Sequence, residues 1–201
     1  MILHSYQYFF LVYHSFFQLY YLFQYLQEQL SNAQTAKPQE VAAPNIEGNA
    51  GAQQTKTLIE RLTQDEKEKI ISIGKELEDK TGAQAITVII STTDGIPIEN
   101  YALNLFRTWG IGQKGKDNGL LVLIALNDKN WRVEVGRGLE GAIPDALSNR
   151  VMESLAKEKF KTEEYGAGIL DSYSVLSDLI AKEYNVTLDK SLKITLPNDN
   201  Y

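Results

Sequence analysis

Two short runs of this chain are almost wholly apolar, Ala85–Ser91 (AITVIIS) and Leu120–Leu126 (LLVLIAL). Runs of six or seven aliphatic and β-branched residues without polar alternation predict a strand covered on both faces. Covering both faces requires helices above and below, so these runs restrict the domain to a layered α/β arrangement. The segments around them supply the helices. Thr63-Gln64-Asp65-Glu66 reads as a capping box, in which hydroxyl and carboxylate satisfy each other's backbone amides. Ile70, Ile73, Gly74 and Leu77 then mark one helical face, and Gly82 is a natural stop. A turn follows at Asp94-Gly95. Ile98, Tyr101, Ala102, Leu105, Phe106 and Trp109 recur at spacings of three and four, which predicts a second helix with Tyr101 and Trp109 packed in its core. Trp131–Val135 (WRVEV) alternates and reads as a half-buried strand, reached through a turn at Asn127–Asn130. Residues 145–160 and 165–184 predict two more helices. The order predicts an α/β fold: a three-layer α/β/α sandwich with a short mixed sheet and two helices on each side. The segment Val186–Leu196 reads as an edge strand or a loose tail.

The rest of the chain differs in composition. Residues 1–27 carry no formal charge and hold 11 of the 20 aromatic residues, so leader and domain face different solvents. Ser31-Asn32-Ala33 is a small-x-small pattern of the kind signal peptidase accepts, although no Lys or Arg precedes Lys37. Residues 1–33 are therefore expected to be a signal peptide or an uncleaved anchor, with possible membrane association through this leader; a start codon assigned too far upstream is the remaining alternative. Export places the protein in the periplasm, a lumen or the medium. Residues 34–56, rich in Ala, Gln, Pro, Asn and Gly, read as a flexible linker. The domain is expected over residues 57–185 and a tail over 186–201.

Composition narrows the chemistry. A net charge of −6 and a pI near 5.0 argue against general nucleic-acid binding. Cys is absent, and the two His residues, His4 and His14, lie in the leader. The domain thus has no thiol nucleophile, no Ser-His-Asp triad and no His- or Cys-ligated metal. Carboxylates, amides, Lys, Arg, Tyr and backbone groups remain. Gly110-x-Gly112-x-x-Gly115 and Gly136-x-Gly138-x-x-Gly141 match the dinucleotide fingerprint as strings only. The first follows a helix, and Pro144 keeps a helix N-terminus from lying under the second, so neither offers a pyrophosphate seat.

The carboxylates form a sharper pattern. If Asp128-Lys129 closes an antiparallel hairpin, residue 127 faces 130 and Asp117 faces Glu140. Asn118 and Asp145 flank that pair, and the glycine loops expose carbonyls beside it. Oxygen ligands of this kind suit Ca²⁺ or Mg²⁺. Asp145 serves equally well as a helix N-cap, Asp117 as an ordinary loop residue. Glu134 and Arg132 read as a structural pair on one strand face.

The stretch Tyr101-Ala102 … Phe106 … Trp109-Gly110-Ile111-Gly112, then Lys116-Asp117-Asn118-Gly119, then Arg132-x-Glu134-Val135-Gly136-x-Gly138-Leu139-Glu140-Gly141 … Asp145-Ala146 resembles the TPM domain family. Its members include thylakoid-lumen proteins of photosystem II repair, an acetylcholine-receptor modulator and many bacterial extracytoplasmic proteins. The resemblance runs from about Thr57 to Tyr184. It implies an α/β/α sandwich, export, and a divalent-cation pocket at Asp117, Asn118, Glu140 and Asp145; some members are labelled acid phosphatases. Two departures stand out. Thr57 and Ile59 replace the Asp and Ala of a D-x-A-x-x-L element that Leu62 completes, and no C-terminal hydrophobic helix follows.

Three functions are consistent with these residues. The leading one is an extracytoplasmic domain that binds a divalent cation, Ca²⁺ or Mg²⁺, and acts on a protein partner as an assembly or repair factor. The second is a weak metal- or carboxylate-dependent acid phosphatase, disfavoured because no nucleophile has a base beside it and only Lys114 and Lys116 lie near the acidic loops. The third is a structural domain whose acidic loops bind nothing.

Overall fold

The computed structural model describes residues 61–196; the expected leader, the linker and the Thr57/Ile59 departures lie outside them. The elements are α1 (Gln64–Thr81), β1 (Gln84–Ile90), α2 (Ile98–Trp109), β2 (Gly119–Ala125), β3 (Asn130–Val135), a 3-10 turn (Arg137–Leu139), α3 (Asp145–Leu155), α4 (Lys157–Lys161) and α5 (Tyr165–Glu183). The sheet has the order β1-β2-β3, with β1 parallel and β3 antiparallel to β2, so it is mixed as the sequence predicts.

Local chemistry explains the first units. The Thr63 hydroxyl accepts from the Glu66 amide at 3.3 Å, and the Glu66 carboxylate accepts from the Thr63 amide at 2.7 Å, so the capping box forms. Gly82 ends α1 in the left-handed region at φ 71, where a side chain is strained. Ile70, Ile73 and Leu77 are fully buried on the inner face of α1.

The alternation of the sheet separates two cores. Leu120, Val122 and Ile124 point into the larger one, with Ile70, Val151, Met152, Ile169 and Leu176 from α1, α3 and α5. Leu121, Leu123 and Ala125 point the other way, against Ile98 and Ala102 of α2 and Ile111 of the following loop. β2 is buried along its whole length, as its unbroken apolar sequence requires. Tyr101 and Trp109 are half-buried and pack on the smaller core. The layers are therefore unequal. α2 alone covers one face, and α1, α3 and α5 cover the other, where the sequence pattern gives two helices to each side. The helix predicted over 145–160 breaks at Ala156 into α3 and α4.

Three further contacts fix the ends. Asp128, in the turn between β2 and β3, accepts from the Thr92 hydroxyl and from the amide and hydroxyl of Thr93. These bonds hold its carboxyl below the usual range. Trp131 of β3 meets Phe160 edge-on at 6.1 Å, pinning α4 to the sheet. Residues 186–196 form no strand and are not loose. They lie as a strap along α1 and α5, with Leu188 and Leu196 buried. The Asp189 and Lys190 amides donate to the buried Glu76 carboxylate at 2.7 and 2.8 Å, and Leu192 donates to the Ser174 hydroxyl at 2.8 Å. No helix among the described residues is long and apolar enough to cross a membrane.

Candidate functional site

The acidic loops lie where β1 and β2 begin and β3 ends. Gln84 pairs with Gly119 in the parallel register, and Leu120 pairs with Val135 in the antiparallel one. Three helices finish at this end. α1 stops at Thr81 just before β1, α2 stops at Trp109 before the loop into β2, and Tyr184 at the end of α5 touches Asn118. One helix, α3, begins there. Helix C-termini carry partial negative charge, equivalent to roughly half an electron each, so the end of the sheet favours cations.

The loops of residues 110–118 and 136–141 are pressed together. Gly136 donates its amide to the Gly119 carbonyl at 2.8 Å, and Gly138 donates to the Asp117 carbonyl at 3.0 Å. A Cβ built on Gly136 would overlap the Asp117 carbonyl oxygen, and one on Gly138 would overlap that of Lys116. Only glycine admits this approach. Gly136 and Gly138 of the second glycine pattern thus serve close packing of backbone, and Gly141 does not. Asp117 itself sits in the left-handed region at φ 49.

The hairpin register differs from the expected one. Ala125, and not Asn127, faces Asn130, because the turn spans Leu126–Lys129 with Lys129 at φ 51. Extending the pairing by three residues puts Asp117 opposite Gly138. Glu140 lies beyond that point, past the 3-10 turn, so it does not face Asp117 across the ladder.

Each expected ligand has a definite place. Asp117, Glu140 and Asp145 are exposed, on three successive parts of the loop seam. Asn118 is fully buried. Its side-chain oxygen accepts from the Gln113 amide at 2.8 Å and its nitrogen donates to the Tyr184 hydroxyl at 3.0 Å. That amide is committed to holding the loop. Asp145 is the first residue of α3, after Pro144 at the cap position, and no side chain caps this helix. Its carboxylate lies 3.8 Å from Arg132, whose Nε is 3.3 Å from Glu134. The Arg132–Glu134 pair is therefore present, and it reaches to Asp145. No group of three or more His, Cys, Asp or Glu among the described residues is placed to share one metal ion.

Sequence reasoning missed the amide network beneath the loops. Gln84 accepts from the Gly112 amide at 2.9 Å and donates to Glu78 at 3.0 Å. Together with Gln113, Asn118 and Tyr184 it ties α1, β1, the loop before β2 and α5. No local pattern marks it, since Gln84 lies on β1, Asn118 in the loop before β2 and Tyr184 at the end of α5.

The architecture is that of a small α/β sandwich in which a parallel pair and a hairpin share one buried strand. Residues 59–179 match the family model of the TPM domain, and the chain belongs to that family. Two solved structures resemble it. One is the N-terminal domain of a protein from P. gingivalis, with TM-score 0.58, 24% identity, and 62% of this chain and 80% of that one covered. The other is the BA42 protein of the psychrophilic bacterium Bizionia argentinensis, with TM-score 0.51, 20% identity, and 60% and 82% covered. Both likenesses concern the fold. No curated protein matches the sequence.

Proposed function

We propose that this TPM domain works outside the cytoplasm as a non-catalytic assembly or repair factor for another protein, and that Ca²⁺ or Mg²⁺ binds at its loop seam. The observation that carries this reading is the seam itself. Gly136 and Gly138 bring the second loop onto the Lys116 and Asp117 carbonyls, and Asp117, Glu140 and Asp145 border it with exposed carboxylates. Oxygen donors from backbone and carboxylate are what hard divalent cations take. Three helix C-termini at the same end add a favourable field. Export is supported by the charge-free aromatic leader that ends in Ser31-Asn32-Ala33.

The test is thermal unfolding in millimolar Ca²⁺ and in chelator. A ligand that binds the folded state stabilises it by about 2.7 kcal/mol when its free concentration is 100-fold above Kd. The melting temperature is expected to rise with Ca²⁺. Asp117→Asn and Glu140→Gln reduce the rise, and Asp65→Asn, in the first turn of α1 and so at its opposite end, leaves it unchanged. Equal melting temperatures for the wild type in both conditions would reject the cation.

A further inference from the structure

Asn185-Val186-Thr187 is the one Asn-x-Ser/Thr triplet with x other than Pro in the 201 residues. As a string it is a weak signal, because such triplets arise by chance; its place in the fold is what gives it content. It spans the turn after α5 and the first two residues of the strap. Asn185 and Thr187 are both exposed, and so are Lys182 and Glu183 before them. The backbone is held on either side. The Asn185 amide donates to the Lys182 carbonyl at 3.0 Å, and Lys80 donates to the Thr187 carbonyl at 2.8 Å. The side chains are not held. Neither the Asn185 carboxamide nor the Thr187 hydroxyl has a hydrogen bond among the described residues, and neither belongs to the core.

Asn185 has a structural reason to be where it is. Its φ is 56, and Asn tolerates the left-handed region better than most residues. Thr187 has no such reason, since it is exposed and its hydroxyl makes no hydrogen bond among the described residues. An acidic residue two positions before the Asn, here Glu183, is an additional element of the bacterial form of the acceptor pattern. We propose that Asn185 is an N-glycan acceptor, taking one oligosaccharide from a lipid-pyrophosphate donor. This rests on the export reading, since the transfer takes place outside the cytoplasm. In the reaction the Asn185 Nδ2 forms a bond to C1 of the first sugar and loses one proton. The C1–O bond to the lipid pyrophosphate breaks, and the pyrophosphate leaves with the bonding pair. The Thr187 hydroxyl is the element that the transferase reads beside the amide.

The experiment incubates the purified full-length chain with a purified single-subunit oligosaccharyltransferase and its lipid-linked oligosaccharide. Intact mass and peptide mapping are the readouts. The wild type is expected to gain one glycan on the peptide that contains Asn185. Asn185→Gly, which suits a positive φ and should melt as the wild type does, abolishes the gain. Thr187→Val abolishes it and Thr187→Ser keeps it. An unmodified wild type, or a gain that survives Asn185→Gly, overturns the site. Fractionation of the native host separates this from the export reading. A chain that accepts glycan in vitro but resides only in the cytoplasm rejects export and leaves the acceptor site standing. An exported chain that accepts none rejects the site and leaves export standing.

Discussion

Asn118 and Tyr184, 66 residues apart in the chain, are joined side chain to side chain at 3.0 Å. This bond fastens the start of the central strand to the end of the last helix, and the Gln113 amide completes the Asn118 oxygen. A buried donor or acceptor left unpaired costs about 1–3 kcal/mol. We therefore expect Asn118→Ala to destabilise by about 3 kcal/mol, because it strands the Gln113 amide. Tyr184→Phe should cost about 1 kcal/mol, because half-buried Tyr184 leaves the Asn118 nitrogen some access to water. Chemical denaturation of both single variants and the double variant should give a non-additive cycle. Additive losses would mean that the two side chains are not coupled.

Much of the fold is legible in the sequence because its signals are local. The Thr63–Glu66 box, the uniform apolar run of β2 and the spacing from Ile98 to Trp109 each specify an element from neighbouring residues alone. The site is less legible. The true hairpin register lies two residues from the expected one, and a shift of two leaves every side chain on its own face. Hydrophobic alternation therefore cannot distinguish the two registers, and the turn decides between them. The sequence hides the bonding of Asn118 for a different reason. Its partner comes from the far end of the chain, and no spacing rule connects the two.

Glu76 makes the strap sensitive to acid. Burial opposes its ionisation more than any single contact favours it, but hydrogen bonds from Lys80 and from the Asp189 and Lys190 amides together lower its pKa from 4.5 to about 2. A folded-state pKa below the unfolded one stabilises above the unfolded value and loses that contribution as pH falls through the folded value. Stability should thus decline between about pH 4.5 and pH 2, by up to about 3 kcal/mol from this group. Glu76→Gln should be less stable at neutral pH and show a flatter acid limb. Parallel pH profiles for variant and wild type would remove Glu76 from the account.

Gly138 and Gly141 separate close packing from mere loop composition. A methyl at 138 collides with the Lys116 carbonyl, whereas one at 141 meets nothing within 4 Å. Overpacking that moves backbone costs about 1–3 kcal/mol. Gly138→Ala should fall in that range and also weaken the Ca²⁺-dependent rise in melting temperature, since it forces the loops apart. Gly141→Ala should leave both unchanged. If the two variants behave alike in thermal unfolding, the seam is looser than its geometry indicates.

Phosphomonoester hydrolysis is the remaining prediction. Past His14 the chain has no imidazole, and it has no thiol anywhere, so proton transfer in the domain falls to carboxylates, Lys or Tyr. Asp117, Glu140 and Asp145 are exposed to water. Arg132, 3.8 Å from Asp145, is shared between that carboxylate and Glu134 and is not free to clamp a phosphoryl group. We expect turnover of a generic aryl phosphate by the purified chain to equal that of Asp117→Asn within error, with and without Ca²⁺ or Mg²⁺. Continuous release of the phenol gives the rate directly. A wild-type rate well above that of Asp117→Asn would assign catalysis to the seam and displace the binding role proposed for it.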